Sequence, residues 1–193
     1  MKKKLTLLIT LLSILMCIFF IKDSYAKYMT SRNESTNITV ARWRILVNNN
    51  DIRSGNTTNT VITPVFNGND NIAANIIAPT SEGYFDLIID AREADVSFKY
   101  KIEFSVNDSS IVKDLIATKY TINNGEQITL DINNQTIENT VLKINNNDEI
   151  KIRVFIKWND DETASMNNAA DTAATATNGS AKMNVNLTFT QVN

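Results

Sequence analysis

In a chain without histidine, carboxylate chemistry is what stays open. The 193 residues contain no histidine and a single cysteine, Cys17. Without histidine there is no base for the Ser-His-Asp or Cys-His types of nucleophilic catalysis. There is also no pair of histidines one helical turn apart to hold a catalytic zinc, and protein zinc sites are not normally built from carboxylates alone. No P-loop or dinucleotide fingerprint occurs, and 5 glycines leave little from which to build a phosphate cradle. No catalytic residue and no cofactor is expected. The densest acidic run is Asp160-Asp161-Glu162, with Asp171 beyond it. Oxygen donors of this kind suit calcium, and Asn159, Asp160, Asp161 and Asp171 are the candidate set. A solvated acidic loop is the preferred reading, because the spacing matches no calcium loop. Asn67-Gly68-Asn69-Asp70-Asn71 is a lesser candidate of the same kind. A glycosidase carboxylate pair would need an aromatic-lined cleft. Here the aromatics alternate with polar residues and read as core, Trp43 and Trp158 included.

The elements that must position these groups are strands. Phe98, Tyr100, Ile102, Phe104 and Val106 share one face, with Lys99, Lys101, Glu103 and Ser105 on the other. Ile150, Ile152, Val154, Ile156 and Trp158 repeat the pattern. So do Met183, Val185 and Leu187, then Ala41, Trp43, Ile45 and Val47, then Phe85, Leu87 and Ile89. Period-two alternation with one dry face is the mark of antiparallel sheets packed as a sandwich. Weaker strand candidates are Thr60 to Phe66, Lys119 to Ile122, Gln127 to Ile132 and Thr140 to Ile144. The fold class expected is all-β: an antiparallel β-sandwich, jelly-roll or immunoglobulin-like, with one or two short helices in loops. The helical candidates are Ile111 to Ala117, capped by Ser110, and the Ala-rich stretch Glu162 to Thr177, which reads equally as a long loop. Turns rest on asparagine, with 27 Asn against 5 Gly and 2 Pro. Asn48-Asn49-Asn50, Asn123-Asn124 and Asn145-Asn146-Asn147 read as loops, and Asn67-Gly68, Asn124-Gly125 and Asn178-Gly179 as positive-φ turn pairs.

The N-terminus has the layout of a secretory leader. Lys2-Lys3-Lys4 precede 17 uncharged residues, Leu5 to Ile21, and small Ser24 and Ala26 frame a cleavage site before Lys27. The competing reading is an uncleaved anchor. As a helix the apolar stretch would span about 25 Å, the short limit for crossing a bilayer. Cys17 is not a lipoprotein site, because bulky Met16 precedes it and Ile18-Phe19-Phe20-Ile21 follow. Cleavage after Ala26 removes four lysines, Asp23 and the cysteine, moving the formal charge from -2 to -5. A mildly acidic remainder does not suit nucleic acid. The organisation expected is 1–26 signal peptide, 27–37 flexible N-terminal segment and 38–193 β-sandwich domain, with membrane contact only through the leader.

Three stretches together resemble the TasA/camelysin-like secreted proteins of Gram-positive bacteria, which include biofilm-matrix fibre subunits. They are Tyr25-Ala26-Lys27-Tyr28-Met29-Thr30 with Val40-Ala41-Arg42-Trp43; Ile77 to Phe85 leading into Ile89-Asp90 and Val96 to Tyr100; and Trp158-Asn159-Asp160 through Asp171-Thr172 to Thr190-Gln191. Thr80 stands where that group usually carries glycine. The resemblance implies a jelly-roll-like sandwich, trimming by a dedicated signal peptidase and assembly outside the cell. It also implies donor-strand exchange, a form of β-augmentation. The donor would start at Lys27, Tyr28, Met29 and Thr30 and run to Ile38. Camelysin's described metalloprotease activity does not carry over to a chain without histidine.

The function expected is a secreted structural protein of the cell surface or biofilm matrix, partnered by itself or by other matrix proteins. The alternatives are a monomeric adhesin or binding module and a carboxylate-dependent secreted enzyme.

Overall fold

Alternating apolar and polar side chains bury one face of a strand, and two such faces closing on each other make the core. The computed structural model describes residues 2–30, 39–52, 57–146, 148–160, 166–176 and 179–192. The chain divides into residues 1–40 and 41–193. The first unit carries helix α1, Lys2–Thr30. The second carries β1 (Leu46–Val47), β2 (Asn50–Asp51), β3 (Thr57–Ile62), β4 (Val65–Phe66), β5 (Glu82–Asp90), β6 (Ser97–Val106), β7 (Leu115–Ile122), β8 (Ile128–Thr129), β9 (Thr136–Val141), β10 (Ile150–Trp158), helix α2 (Asn168–Thr175) and β11 (Met183–Val192).

All pairings are antiparallel. One sheet runs β2-β1-β5-β10-β7-β8, with β4 also paired to β5; the other runs β3-β11-β6-β9. The fold is an all-β, two-sheet antiparallel sandwich. Leu87, Ile89, Ile152, Val154, Ile156 and Trp158 from the first sheet close on Phe98, Tyr100, Ile102, Val185, Leu187 and Phe189 from the second. Phe85 and Phe104 meet edge-on across the gap, ring centroids 6.0 Å apart. Trp43 is half-buried and packs edge-on against Phe98.

Several local expectations are corrected by tertiary pairing. Ile111 to Ala117 is not a helix: Leu115 pairs with Trp158 and begins β7. Ser110 does not cap, because its hydroxyl donates to the Val112 carbonyl and accepts from the Lys182 N–H. Thr60 to Phe66 is two strands, β3 and β4, in different sheets, broken at Thr63-Pro64 because proline has no N–H for a ladder. Of Ala41 to Val47 only Leu46–Val47 pairs. Beyond Val141 the expected strand gives way to a single turn of 3-10 helix, Lys143–Asn145. The Ala-rich stretch is helical over Asn168–Thr175, with the Asn167 side chain accepting the Ala170 N–H as its cap.

The turns are made by asparagine rather than glycine. Asn48 and Asn49 link β1 to β2, and Asn123 and Asn124 link β7 to the β8 side, all four at positive φ; no described glycine is. Two left-handed residues in a row is the turn whose twist matches a hairpin. In the Asn124-Gly125 pair the left-handed positions are therefore Asn123 and Asn124, one residue earlier than expected, with Gly125 N–H closing the turn on the Ile122 carbonyl at 2.9 Å.

Candidate functional site

Of the acids singled out in the sequence, Asp160 and Asp171 lie at the end of the sandwich where β10 stops and β7 starts. Asn159 N–H donates to the Asp114 carbonyl at 3.1 Å, extending the β7–β10 ladder one step past Trp158. Lys113 N–H points at the Met166 sulfur, 3.0 Å away, which brings the segment ahead of α2 onto the same corner. On α2, Asp171 and Ala174 are three residues apart and share the buried face. Asp171 is thus delivered to a corner already occupied by Asp114.

Both acids are deeply buried, Asp114 at 5% exposure and Asp171 at 6%. Neither Asp114 carboxylate oxygen has a hydrogen-bond partner, nor has Asp171 Oδ1. The Asp114 carboxyl is pushed above the ordinary range, first by burial, against the opposing pull of its own backbone N–H, and then by the charges of Asp171 and Asp160. Of the expected calcium set, Asp171 is buried in this corner, Asn159 is half-buried and touches it through its backbone, Asp160 is exposed, and Asp161 lies outside the described residues. Asp114 was missed. The available signal was an acid set between the apolar Val112 and Leu115, hidden by reading that stretch as a helix. Among the described residues no three His, Cys, Asp or Glu side chains form a ready-made metal centre. The lesser candidate around Asn69 is a local turn, its side-chain oxygen accepting from the Asn71 and Ile72 N–H groups.

Beside this corner lies a cavity of about 450 Å³, lined by Pro64, Phe66, Ile77, Ile111, Trp158 and Ala174 among others. The Trp158 ring is buried, and its Nε1–H has no partner.

The sheet edges differ in how open they are. The β7 edge is closed: Lys119 and Tyr120 pair with β8, Leu130 N–H bonds the Thr118 carbonyl, and the Gln135 amide bonds both backbone groups of Ala117 at 2.7 and 3.1 Å. The β9 edge carries Glu138, paired with Lys99. At the other end of that sheet β3, Thr57-Thr58-Asn59-Thr60-Val61-Ile62, has no charge and no proline, and pairs only with β11 among the described residues. Val61 is 53% exposed.

The cleavage residues Ser24, Ala26 and Lys27 and the donor candidates Tyr28, Met29 and Thr30 all fall within the backbone span of α1, and residues 31–38 lie outside the described ones. Along α1, Leu5, Leu7, Leu11, Leu12, Leu15 and Ile18 are each more than half exposed. Among the described residues no helix is long and apolar enough to cross a membrane.

No family model matches the chain, and no curated protein matches it. Among solved structures a family two carbohydrate esterase from Cellvibrio japonicus is 16% identical, covering 70% of this chain and 35% of that one, with a TM-score of 0.19. That similarity is too low to carry an argument about fold or function.

Proposed function

We propose that this chain is a secreted structural protein of the bacterial surface or biofilm matrix, a subunit that assembles by adding a strand to a neighbour. The observation that carries the reading is the β3 edge. A six-residue strand of Thr, Asn, Val and Ile, with no charge or proline, is the kind of edge that soluble monomers normally blunt. Among the described residues its outer edge pairs with no other strand, which leaves backbone donors and acceptors for an incoming one. Head-to-tail addition of this kind grows open filaments rather than closed rings. The resemblance to TasA/camelysin-like proteins supports the same reading, with the segment from Lys27 as donor. The leader supports export, because a helix apolar on all sides suits a translocon or lipid better than a protein surface.

The test is expression with secretion from a Gram-positive host, N-terminal sequencing, and electron microscopy of the product. A start at Lys27 and filaments that are lost both on deleting residues 27–33 and in Val61→Lys would support the reading. A persistent monomer starting at Lys27 would favour a binding module, for which the 450 Å³ cavity is the specific pointer. A chain still starting at Met1 in the membrane fraction would sink the secreted reading.

A further inference from the structure

We propose that the corner between β7, β10 and α2 binds a calcium-class divalent cation through the carboxylates of Asp114 and Asp171. The two acids stand 57 positions apart in the chain, one ahead of β7 and one on α2, and both are more than nine-tenths buried. Three of their four carboxylate oxygens meet no hydrogen-bond donor. None of the described ion pairs involves either residue. Burying an ionised carboxylate without a counter-charge is strongly unfavourable, and a second buried acid at the same corner adds to it. A single divalent cation removes both penalties at once.

The chemistry of the corner selects the class of ion. The donors are oxygens, with no imidazole or thiolate within the whole sequence beyond Cys17 in α1. Hard oxygen donors suit calcium or magnesium rather than zinc or copper. Two carboxylates completed by backbone carbonyls, the Asn159 side chain and water make an irregular shell, which calcium accepts and magnesium, with its strict octahedron, does not. Asp160, exposed next to Asn159, adds negative charge at the mouth. A site of this charge falls in the range of extracellular calcium modules, with a dissociation constant of roughly 0.1–1 mM. Because α2 supplies one of the two ligands, the ion would also pin the β10–β11 connection to the sandwich.

The full-length chain in mild detergent, stripped with EDTA, should melt several degrees higher when calcium chloride is restored to about 5 mM, above the expected dissociation constant. Asp114→Asn and Asp171→Asn should each raise the calcium midpoint at least about tenfold, while Asp86→Asn on the outer sheet face should not. Terbium gives a readout that needs no acidic-site variant. Excitation of tryptophan should sensitise its emission, calcium should compete the signal away, and Trp158→Phe should weaken it. No melting shift with calcium, a shift that survives in the Asp114→Asn/Asp171→Asn double variant, or terbium emission that calcium does not compete away would each overturn the proposal.

Discussion

Pro79 and Thr80 occupy the two central positions of a turn closed by Ser81 N–H on the Ala78 carbonyl at 2.9 Å, and Thr80 sits there at φ 67°. Proline suits the first of these positions, and the second demands a left-handed residue, which is glycine's place. A β-branched residue in that conformation is strained. The turn is held nonetheless, because Thr80 N–H bonds the Trp158 carbonyl at 3.1 Å and Trp158 N–H bonds the Ser81 carbonyl at 3.2 Å. The end of β10 therefore fixes the backbone that the local sequence resists. It is also the position where the resembled group carries glycine.

Thr80→Gly should stabilise the chain by about 1 kcal/mol, the order of the left-handed penalty for a residue with a Cβ. Thr80 is exposed, so little packing is lost in exchange. Thr80→Asn should recover part of the gain. Urea unfolding of the three proteins measures this; a Thr80→Gly protein no more stable than the parent would mean that the turn carries no strain.

Gly83→Ala should destabilise by about 1–3 kcal/mol, the usual cost of overpacking. A Cβ there would lie 2.6 Å from the Val65 carbonyl oxygen and 2.6 Å from Phe66 Cδ1. The first contact is backbone and cannot swing away. Gly83 opposes Phe66 in the β4–β5 pair, so the absence of a side chain is what lets the Phe66 ring lie over the strand. Thermal melting of Gly83→Ala checks this, and a loss below about 0.5 kcal/mol would mean that β4 moves aside freely.

Arg153 is the hub of the outer face of the first sheet. Its guanidinium lies 4.1 Å from the Tyr84 ring centroid and forks onto both Asp86 carboxylate oxygens at 2.7 and 2.8 Å. All three groups are partly exposed, so a double-mutant cycle on Arg153 and Asp86 should give a coupling of about 0.2–1 kcal/mol. Arg153→Lys should lose most of it, because an ammonium neither forks nor stacks flat. A coupling that survives unchanged in Arg153→Lys would show that charge alone is at work.

Asp95 ties the loop after β5 to the segment before β1. Its carboxylate accepts from the Arg42 side chain and backbone N–H, and these hold it at about 2. The folded value lies below the unfolded one of about 3.9. Its contribution to stability is therefore complete above about pH 4 and fades as the pH falls towards 2. A carboxyl carbon NMR titration should place its midpoint well below those of free aspartates. Arg42→Ala should return it to the ordinary range.

The sequence by itself determined the sandwich. β5, β6, β10 and β11 announce themselves through period-two alternation, because a half-buried strand has no other way to divide its side chains between core and water. The asparagine-rich turns were legible for the same reason, since Asn48-Asn49 and Asn123-Asn124 tolerate left-handed backbone wherever they stand. What the tertiary structure decided was partnership. Ile111 to Ala117 has no local preference strong enough to choose between helix and strand, and β10 chose by offering Trp158 to Leu115. The same pairing slips by one residue at Thr118, so that Leu115 and Ala117 face inward before the slip and Tyr120 and Ile122 after it; no pattern within β7 marks that place. Phe155 and Tyr84 emerged on the outer face because they oppose each other across β10 and β5, a relationship 71 positions apart in the chain. Asp114 and Asp171 met for a similar reason. One residue's burial is set by where β7 begins and the other's by which face of α2 packs down, and neither is written in the residues around them.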